Sequence, residues 1–198
     1  VGKTIPSNPP TTERDFANWL VKVYEGLNIE KANMLAWSFG GFVATNFSIY
    51  EPKRVIKLGL LAPFATFVKG GIGFLAGFIP FLIPTRATAR FFERKLCYKS
   101  NFGFKAHSEI LYERFRSSKV IFKVPPRTFT DEELSKLKMQ VLLLIGEQEF
   151  LYDSKAAVER AKNILRNGDI GLLSQCNHAI VSDQTELVST RVLEFLNR

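Results

Sequence analysis

A serine flanked by small residues stands where an apolar strand gives way to a helix, in the run Ala36-Trp37-Ser38-Phe39-Gly40-Gly41. A strand that turns sharply into a helix brings neighbouring backbones close together, so this motif has the form of a nucleophile elbow, with Ala36 where Gly is commoner. It predicts a strained backbone at Ser38, with the hydroxyl at the carboxyl end of the sheet and available as a nucleophile. The N–H of Phe39 would then face the developing oxyanion, helped by the helix N-terminus. In the plainer interpretation, Ser38 only caps the helix, and Gly40 and Gly41 allow close packing.

A serine nucleophile needs a base, and the sequence has only two histidines, His107 and His178. His178 follows the last predicted strand and precedes the last predicted helix, so it lies on a loop at the carboxyl end of a strand. That is the same rim as Ser38 if the strands are parallel. His107 lies in a strongly basic segment, where a surface or cap position is the simpler interpretation. The plain alternative for His178 is a helix-entry residue without a partner.

Four acidic side chains follow the apolar strand predicted at 141–145 and are candidates to orient the base: Glu147, Glu149, Asp153 and Asp169. The role requires a carboxylate within hydrogen-bond reach of the imidazole. Glu149 stands three residues after Gly146, beyond the turn, where its side chain can point back across the rim. Asp153 has the position of an N-cap for the next helix, which by itself explains that residue. We therefore predict Glu149 as the acid and keep Asp153 as the alternative.

The elements that must position these residues alternate between strand and helix. Short apolar runs predict strands at 32–37, 55–61, 141–145 and 170–174, and helical spacing predicts helices at 16–27, 40–50, 153–167 and 183–195. Thr130 and Glu133 form a capping box that opens a further short helix, and Gly168 is the expected stop of the helix that begins at Asp153. Continuous apolar runs between helices indicate a mostly parallel sheet flanked by helices, the α/β class.

The net charge of +8, from 27 Lys and Arg against 19 Asp and Glu in 198 residues, is concentrated in one segment. Residues 64–127 contain twelve Lys and Arg against three Glu, a net charge of +9, whereas the remainder, fifteen against sixteen, carries −1. Twelve of the eighteen Phe lie at 64–129. We predict an α/β core formed by residues 1–63 and 128–198 and a helical cap or lid insertion at 64–127. Because the positive charge is local and no recognisable nucleic-acid module accompanies it, nucleic-acid binding is not expected.

Five short motifs, together with the order serine, acid, histidine, resemble a known family. The motifs are DFANWL at 15–20, LNIEK at 27–31, SFGG at 38–41, FTDEEL at 129–134 and LLLIGEQE at 142–149. The order resembles the α/β-hydrolase fold, and the motifs resemble the bacterial carboxylesterases of the naproxen-esterase type. The resemblance covers nearly the whole chain and is weakest at 64–126. In that family the acid is a Glu at the position matching Glu149, so the resemblance implies a triad of Ser38, Glu149 and His178, with the Phe39 N–H in the oxyanion hole.

The resemblance implies an enzyme that cleaves small-molecule carboxylic esters through an acyl-enzyme intermediate, with no metal or other cofactor. The Phe-rich insertion would cover the site and form an apolar pocket for an acyl or aromatic group. The stripe of Arg86, Arg90 and Arg94 is expected to be a solvated helix face, and contact with a membrane surface is the less favoured alternative. The oligomeric state stays open. The alternative function is that of a non-catalytic or truncated protein of this fold with a binding role.

The chain departs from the family at its beginning. The family places several strands before the helix that begins near Thr12, including a loop that supplies a second oxyanion N–H, and residues 1–37 contain no His-Gly loop of that kind. We therefore expect this chain to correspond to the C-terminal two thirds of such an enzyme, with the N-terminal part of the sheet missing. The start at Val1 agrees with a missing upstream piece. No segment resembles a signal peptide, so the expected location is the cytoplasm.

Overall fold

A computed structural model describes the backbone of residues 9–98, 104–117 and 123–198 and the side chains of all of these except 104–107. The interpretation of His107 as a surface or cap residue therefore lies outside the described side chains. Among the described helices, none is both long enough and apolar enough to cross a membrane.

Four parallel strands of the described chain form one sheet in the order β1-β2-β3-β4. Strand β1 is Ala32–Trp37, β2 is Val55–Leu61, β3 is Gln140–Gly146 and β4 is Gly168–Leu173. Trp37 pairs with Leu61, Leu61 with Leu144, and Gly146 with Leu173. The carboxyl ends of the strands therefore lie along one rim, which confirms the predicted parallel α/β sheet.

Helices connect and cover these strands. They are α1 Glu13–Gly26, α2 Phe39–Tyr50, α3 Ile72–Ala76, α4 Ile79–Leu82, α5 Arg86–Leu96, α6 Phe104–Ser117, α7 Asp131–Leu134, α8 Ser154–Ile164, α9 Ile180–Asp183 and α10 Thr185–Asn197. A 3₁₀ turn at Pro52–Arg54 leads into β2. The predicted capping box is present at α7, where the Thr130 hydroxyl accepts from the N–H of Glu133 and the Glu133 carboxylate accepts from the N–H of Thr130.

The core lies on both faces of the sheet, as the continuous apolar runs predict. Because successive side chains of a strand point to opposite faces, β3 contributes alternately to two buried clusters. Val141, Leu143 and Ile145 belong to the larger cluster, with Phe42 and Phe47 of α2 and Ala157 and Ala161 of α8. Leu142 and Leu144 belong to the second cluster, with Val188, Val192 and Phe195 of α10.

Two predicted helix boundaries are wrong. Helix α8 ends at Ile164, because the next residue, Leu165, takes an extended backbone (φ −86°, ψ 90°) and is buried in the core. Gly168 is therefore the first residue of β4 and not the stop of a helix. The last long helix begins at Thr185, and the Asp183 carboxylate accepts hydrogen bonds from the backbone N–H groups of Asn177 and Tyr98.

The segment between β2 and α7 contains helices α3 to α6, and we call residues 64–127 the insertion. Aromatic pairs hold its helices together, with ring centroids 5.0 Å apart for Phe74 and Phe78 and 4.6 Å apart for Phe81 and Phe115. Phe64, which is buried at the start of the insertion, contacts Phe74 at 4.5 Å and so joins the helices to the core. Phenylalanine pairs of this kind add to the stabilisation that apolar burial provides.

Arg127, at the end of the insertion, binds two carboxylates of the core. Its guanidinium donates two hydrogen bonds to Glu13 of α1, at 2.6 and 2.7 Å, and two to Glu133 of α7, both at 2.7 Å. It also lies over the Phe129 ring, 5.1 Å from the centroid. The neighbouring guanidinium lowers the pKa of Glu133 from 4.5 to about 2, and its two carboxylates raise the pKa of Arg127. The insertion is thus tied to two helices of the core.

The Arg127–Glu133 pair predicts a pH-dependent contribution to stability. Since folding lowers the pKa of Glu133, its contribution is complete above pH 4.5 and is lost as the pH falls towards 2. Glu133→Gln is expected to reduce the free energy of unfolding at pH 7 by about 1 kcal/mol, because both partners are partly solvated. Urea denaturation between pH 2 and 7 measures the difference in free energy of unfolding, which should stay constant from pH 7 to about 4.5 and shrink as the pH falls from 4.5 towards 2. The matched control is Glu132→Gln; an equal loss for both variants contradicts the assignment.

Candidate active site

Ser38 occupies the turn between β1 and α2 with a backbone that L-residues rarely adopt, at φ 55° and ψ −125°. Its N–H donates to the carbonyl of Leu61 at 3.0 Å, and its carbonyl accepts from the N–H of Phe64 at 3.0 Å. These bonds hold the turn against the end of β2 and support the strained conformation. The Ser38 side chain makes no capping hydrogen bond to α2, so the simple capping interpretation does not describe it.

Only one of the two glycines of the elbow lies where a side chain would collide with the neighbouring backbone. A Cβ at Gly41 would lie 2.6 Å from the Cβ of Pro63, so α2 can pack against the residues after β2 only because Gly41 has no side chain. At Gly40 the nearest atom, the Cβ of Ala36, would be 3.9 Å away, an ordinary contact. The sequence motif treats the two positions alike, whereas the packing does not.

His178 lies across the rim from this turn, with its side chain 2% exposed. Its Nε2 is 2.7 Å from the Ser38 hydroxyl oxygen, and its Nδ1 is 2.8 Å from a carboxylate oxygen of Glu149. The Trp37 indole N–H donates to the His178 carbonyl at 2.9 Å, and the two rings lie 5.6 Å apart between centroids. The imidazole of His178 therefore contacts Ser38 at one nitrogen and Glu149 at the other, and the His178 carbonyl is bonded to Trp37.

Glu149 has no exposed side-chain surface, and both carboxylate oxygens are used. One accepts from the Leu151 N–H at 2.9 Å, and the other faces His178. The carboxylate therefore requires the proton on Nδ1, which leaves the lone pair of Nε2 for the Ser38 hydroxyl. Burial, together with the Glu149 charge, raises the pKa of the buried Tyr152 beside it, so that the Tyr152 hydroxyl keeps its proton.

The other acidic candidates lie elsewhere. The Asp153 carboxylate accepts from the Ala156 N–H at 3.0 Å and caps α8. Asp169 pairs with Arg191 at 2.6 Å, and the side chain of Glu147 is exposed beside Gln148. Of the four carboxylates considered from the sequence, the structure thus brings Glu149 to the imidazole.

Gly146, at the end of β3, allows the acid loop and the histidine loop to meet. A Cβ at this position would lie 2.4 Å from the Asn177 carbonyl oxygen and 2.5 Å from that of Cys176. Burial raises the pKa of the Cys176 thiol to about 12, so it stays protonated as an apolar neighbour of the site.

Among the described residues, no group of three or more His, Cys, Asp and Glu side chains is placed to hold a metal ion.

An apolar cavity of about 160 Å³ opens beside the serine. Ser38 and the first residue of α2, Phe39, form one wall, and the N-terminal N–H groups of α2 lie at this end of the site. The remaining walls are mostly aromatic and come from the insertion and from the loop that carries Glu149: Phe64, Phe74, Gly77, Phe78, Phe81, Phe92, Pro126 and Leu151. An apolar group bound here would lie directly against the nucleophile.

Sequence reasoning missed four residues around this site. Trp37 and Asn177 each adjoin a predicted site residue, and that adjacency is the only sequence signal for them. Tyr152 adjoins only the alternative acid, Asp153, and Asp183 adjoins no predicted site residue; the contacts of both with the site depend on how the loops meet.

The parallel sheet, the strained serine turn and the histidine and carboxylate at neighbouring strand ends define an α/β-hydrolase, and the chain belongs to this superfamily. The family described as "alpha/beta hydrolase fold" matches residues 1–87.

Within the superfamily, the chain is similar to carboxylesterases of Bacillus subtilis. It is 31% identical to the protein named "Uncharacterized carboxylesterase nap", over 98% of this chain and 66% of that protein, and 29% identical to carboxylesterase YbfK, over 98% and 67%. The crystal structure of naproxen esterase (carboxylesterase NP) from the same organism superposes with a TM-score of 0.90 at 28% identity, over 98% of this chain and 70% of that one. The chain spans about two thirds of the length of these curated relatives. The predicted superfamily and fold are confirmed.

The two elbow glycines make a matched test of the close approach at Pro63. Gly41→Ala is expected to lower the free energy of unfolding by about 1–3 kcal/mol, because its Cβ must displace Pro63. Gly40→Ala has room and is expected to change it by less than about 1 kcal/mol, in the stabilising direction for a helix. Urea denaturation of both variants measures the difference. Equal effects would mean that packing at Gly41 does not constrain the turn.

Proposed function

We propose that the protein is a serine carboxylesterase that acts through Ser38, His178 and Glu149. The observation that carries the proposal is the unbroken hydrogen-bond chain from the serine hydroxyl through the imidazole to a fully buried carboxylate, at 2.7 and 2.8 Å, beside an apolar cavity. The similarity to carboxylesterases supports ester hydrolysis as the reaction.

In the first half of the reaction, the Ser38 oxygen attacks the ester carbonyl carbon while its proton passes to Nε2 of His178. The carbonyl oxygen becomes an oxyanion, which accepts a hydrogen bond from the Phe39 N–H at the N-terminus of α2. When the tetrahedral intermediate collapses, the bond to the leaving alkoxide breaks and His178 returns the proton to it. An alcohol leaves, and the acyl group stays on Ser38.

Water then hydrolyses the acyl-enzyme, with His178 again acting first as the base and then as the acid. A water molecule attacks the acyl carbonyl and gives a proton to His178, and a second tetrahedral intermediate forms. Its collapse breaks the bond to the Ser38 oxygen, which takes the proton back from His178. The carboxylic acid is released and the free enzyme is restored.

Glu149 contributes by orientation and by charge. Its hydrogen bond to Nδ1 keeps the imidazole in the tautomer whose Nε2 can accept the serine proton. Once His178 carries that proton, the carboxylate stabilises the imidazolium, and it does so strongly because both side chains are buried. The Leu151 N–H holds the other carboxylate oxygen in place.

The insertion acts as a cap in this proposal and supplies the substrate-binding wall. Five of its phenylalanines line the cavity next to Ser38: Phe64, Phe74, Phe78, Phe81 and Phe92. A cavity with these walls fits a small-molecule ester with an apolar acyl or aromatic group. A cytoplasmic location fits an enzyme for such esters.

Three variants test the nucleophile and the acid. Ser38→Ala is expected to abolish hydrolysis of p-nitrophenyl acetate. Glu149→Gln is expected to lower kcat by about 10³–10⁴-fold, since the amide no longer holds the productive tautomer. Asp153→Asn keeps an N-capping side chain and is expected to retain most of the activity. Steady-state kinetics, with the folded fraction checked by circular dichroism, measure all three.

Activity retained in Ser38→Ala overturns the nucleophile assignment. If Asp153→Asn loses activity while Glu149→Gln keeps it, the acid assignment is wrong although the nucleophile stands. If the wild-type chain hydrolyses no ester and its Ser38 does not react with a fluorophosphonate, a non-catalytic binding role replaces the proposal.

Two adjacent phenylalanines of α5 test the binding wall. Phe92 lines the cavity, whereas Phe91 is 44% exposed. Phe92→Ala is expected to shift the ratio of kcat/KM values for p-nitrophenyl octanoate and acetate by about tenfold towards octanoate, because the removed ring leaves room for a longer acyl chain. Phe91→Ala is expected to leave the ratio unchanged. The same ratio in all three proteins would place acyl recognition outside this cavity.

A further inference from the structure

Asn177, the residue before His178, is buried, with 9% of its surface exposed, and makes four hydrogen bonds within the protein. Its side-chain oxygen accepts from the N–H of Phe150 at 2.9 Å and from the N–H of His178 at 2.8 Å. Its side-chain amide donates to the Lys95 carbonyl at 3.0 Å, and its own N–H donates to the Asp183 carboxylate at 2.8 Å. One buried amide thus contacts the loop that carries Glu149, the loop that carries His178 and helix α5 of the insertion.

The end of α5 is bonded to the histidine loop at further points. The N–H of Ala179 donates to the Leu96 carbonyl at 2.8 Å, and the Tyr98 N–H lies 2.9 and 3.0 Å from the two carboxylate oxygens of Asp183. The carbonyls of Lys95 and Leu96 belong to the last turn of α5, where a helix has no internal donors to satisfy them. The histidine loop supplies those donors from Asn177 and Ala179, so hydrogen bonds join the end of α5 to this loop.

Asp183 is partly buried, and burial raises its pKa, although the N–H groups of Asn177 and Tyr98 oppose this shift. Its carboxylate accepts from both of these backbone groups, one of which belongs to the histidine loop and the other to the segment after α5. Helix α5, whose last turn bonds to the histidine loop, also carries Phe92 one turn before Lys95, and Phe92 lines the cavity beside Ser38. The cavity wall and the support of the histidine loop therefore lie on one helix.

We propose that Asn177, supported by Asp183, is a positioning residue that makes the placement of His178 depend on the docking of α5. This inference rests on the proposed function, because it assigns Asn177 a role in placing the catalytic base. Neither side chain contacts the Ser38 hydroxyl or the imidazole nitrogens. Their effect on the reaction comes from setting the Nε2–Oγ distance, and an error of about 1 Å in such a distance can cost a hundredfold in rate.

The rate at which Ser38 reacts with a fluorophosphonate tests the proposal. In that reaction the serine oxygen bonds to phosphorus, fluoride leaves and His178 takes the serine proton. Asn177→Ala and Asp183→Ala are expected to react about 10- to 100-fold more slowly per reactive site, while the final labelling still approaches one probe per folded chain. For p-nitrophenyl acetate, kcat should fall by a similar factor with little change in KM.

Two further variants complete the experiment. Asn177→Asp keeps the oxygen acceptors for Phe150 and His178 but loses the donor to Lys95, so it is expected to recover only part of the wild-type rate. Asn167→Ala removes another amide that bonds a backbone carbonyl, that of Lys138 at 3.3 Å, at the opposite end of the sheet, and is expected to react like the wild type.

A merely structural role would lower the labelled fraction and the melting temperature while the surviving sites react at the wild-type rate. That result overturns the positioning role, and so does a full recovery of rate in Asn177→Asp, because it would separate His178 from α5. If the wild-type serine itself fails to react, the proposed function fails first. The two failures are therefore distinguishable.

Discussion

A carboxylate without exposed side-chain surface, that of Glu149, must find its hydrogen bonds inside the protein, because an unpaired buried charge costs several kcal/mol. The Leu151 N–H satisfies one oxygen, and the imidazole of His178 satisfies the other. This requirement holds the histidine loop against the acid loop. It also directs the remaining imidazole nitrogen to Ser38, whose strained turn presents the hydroxyl from the opposite side. The rest of the site is organised around this buried pair.

The sheet makes such an arrangement possible by bringing its four carboxyl-terminal strand ends to one rim. In the parallel register, Trp37, Leu61 and Leu144 lie side by side, and Gly146 lies beside Leu173. The loops after these strands therefore start as neighbours, although Ser38 and His178 are 140 residues apart in the chain. The absence of a Cβ at Gly41 and at Gly146 lets α2 and the histidine loop come close enough for hydrogen bonds of 2.7 and 2.8 Å. Phenylalanine side chains of the insertion line the cavity beside Ser38, and the insertion is hydrogen-bonded to the core at Arg127 and at the end of α5.

The parts of this picture that could be predicted are those with local causes. The apolar runs of β1 and β2 predict these strands with their observed bounds, and the capping box at Thr130 predicts the start of α7. Ser38, Glu149 and His178 could be selected because each follows a strand in a parallel sheet. The end of α8 could not be predicted, since Leu165 leaves the helix to fill the core and Gly168 is recruited into β4. The contact of Asp183 with the N–H of Tyr98 could not be predicted either, because the two residues are 85 positions apart in the chain.

By itself, the sequence determined the four strands, their parallel direction, the main helices of the core and the rim on which the chemistry-bearing residues lie, because periodicity, capping and turn chemistry act over a few residues. Only the tertiary structure decided between Glu149 and Asp153 at the imidazole, gave Gly41 rather than Gly40 the close approach, and joined Asn177 to the insertion. These decisions depend on which loops share a buried volume and on which polar groups there lack water. Local sequence cannot encode that competition, since the groups that satisfy one another come from distant segments.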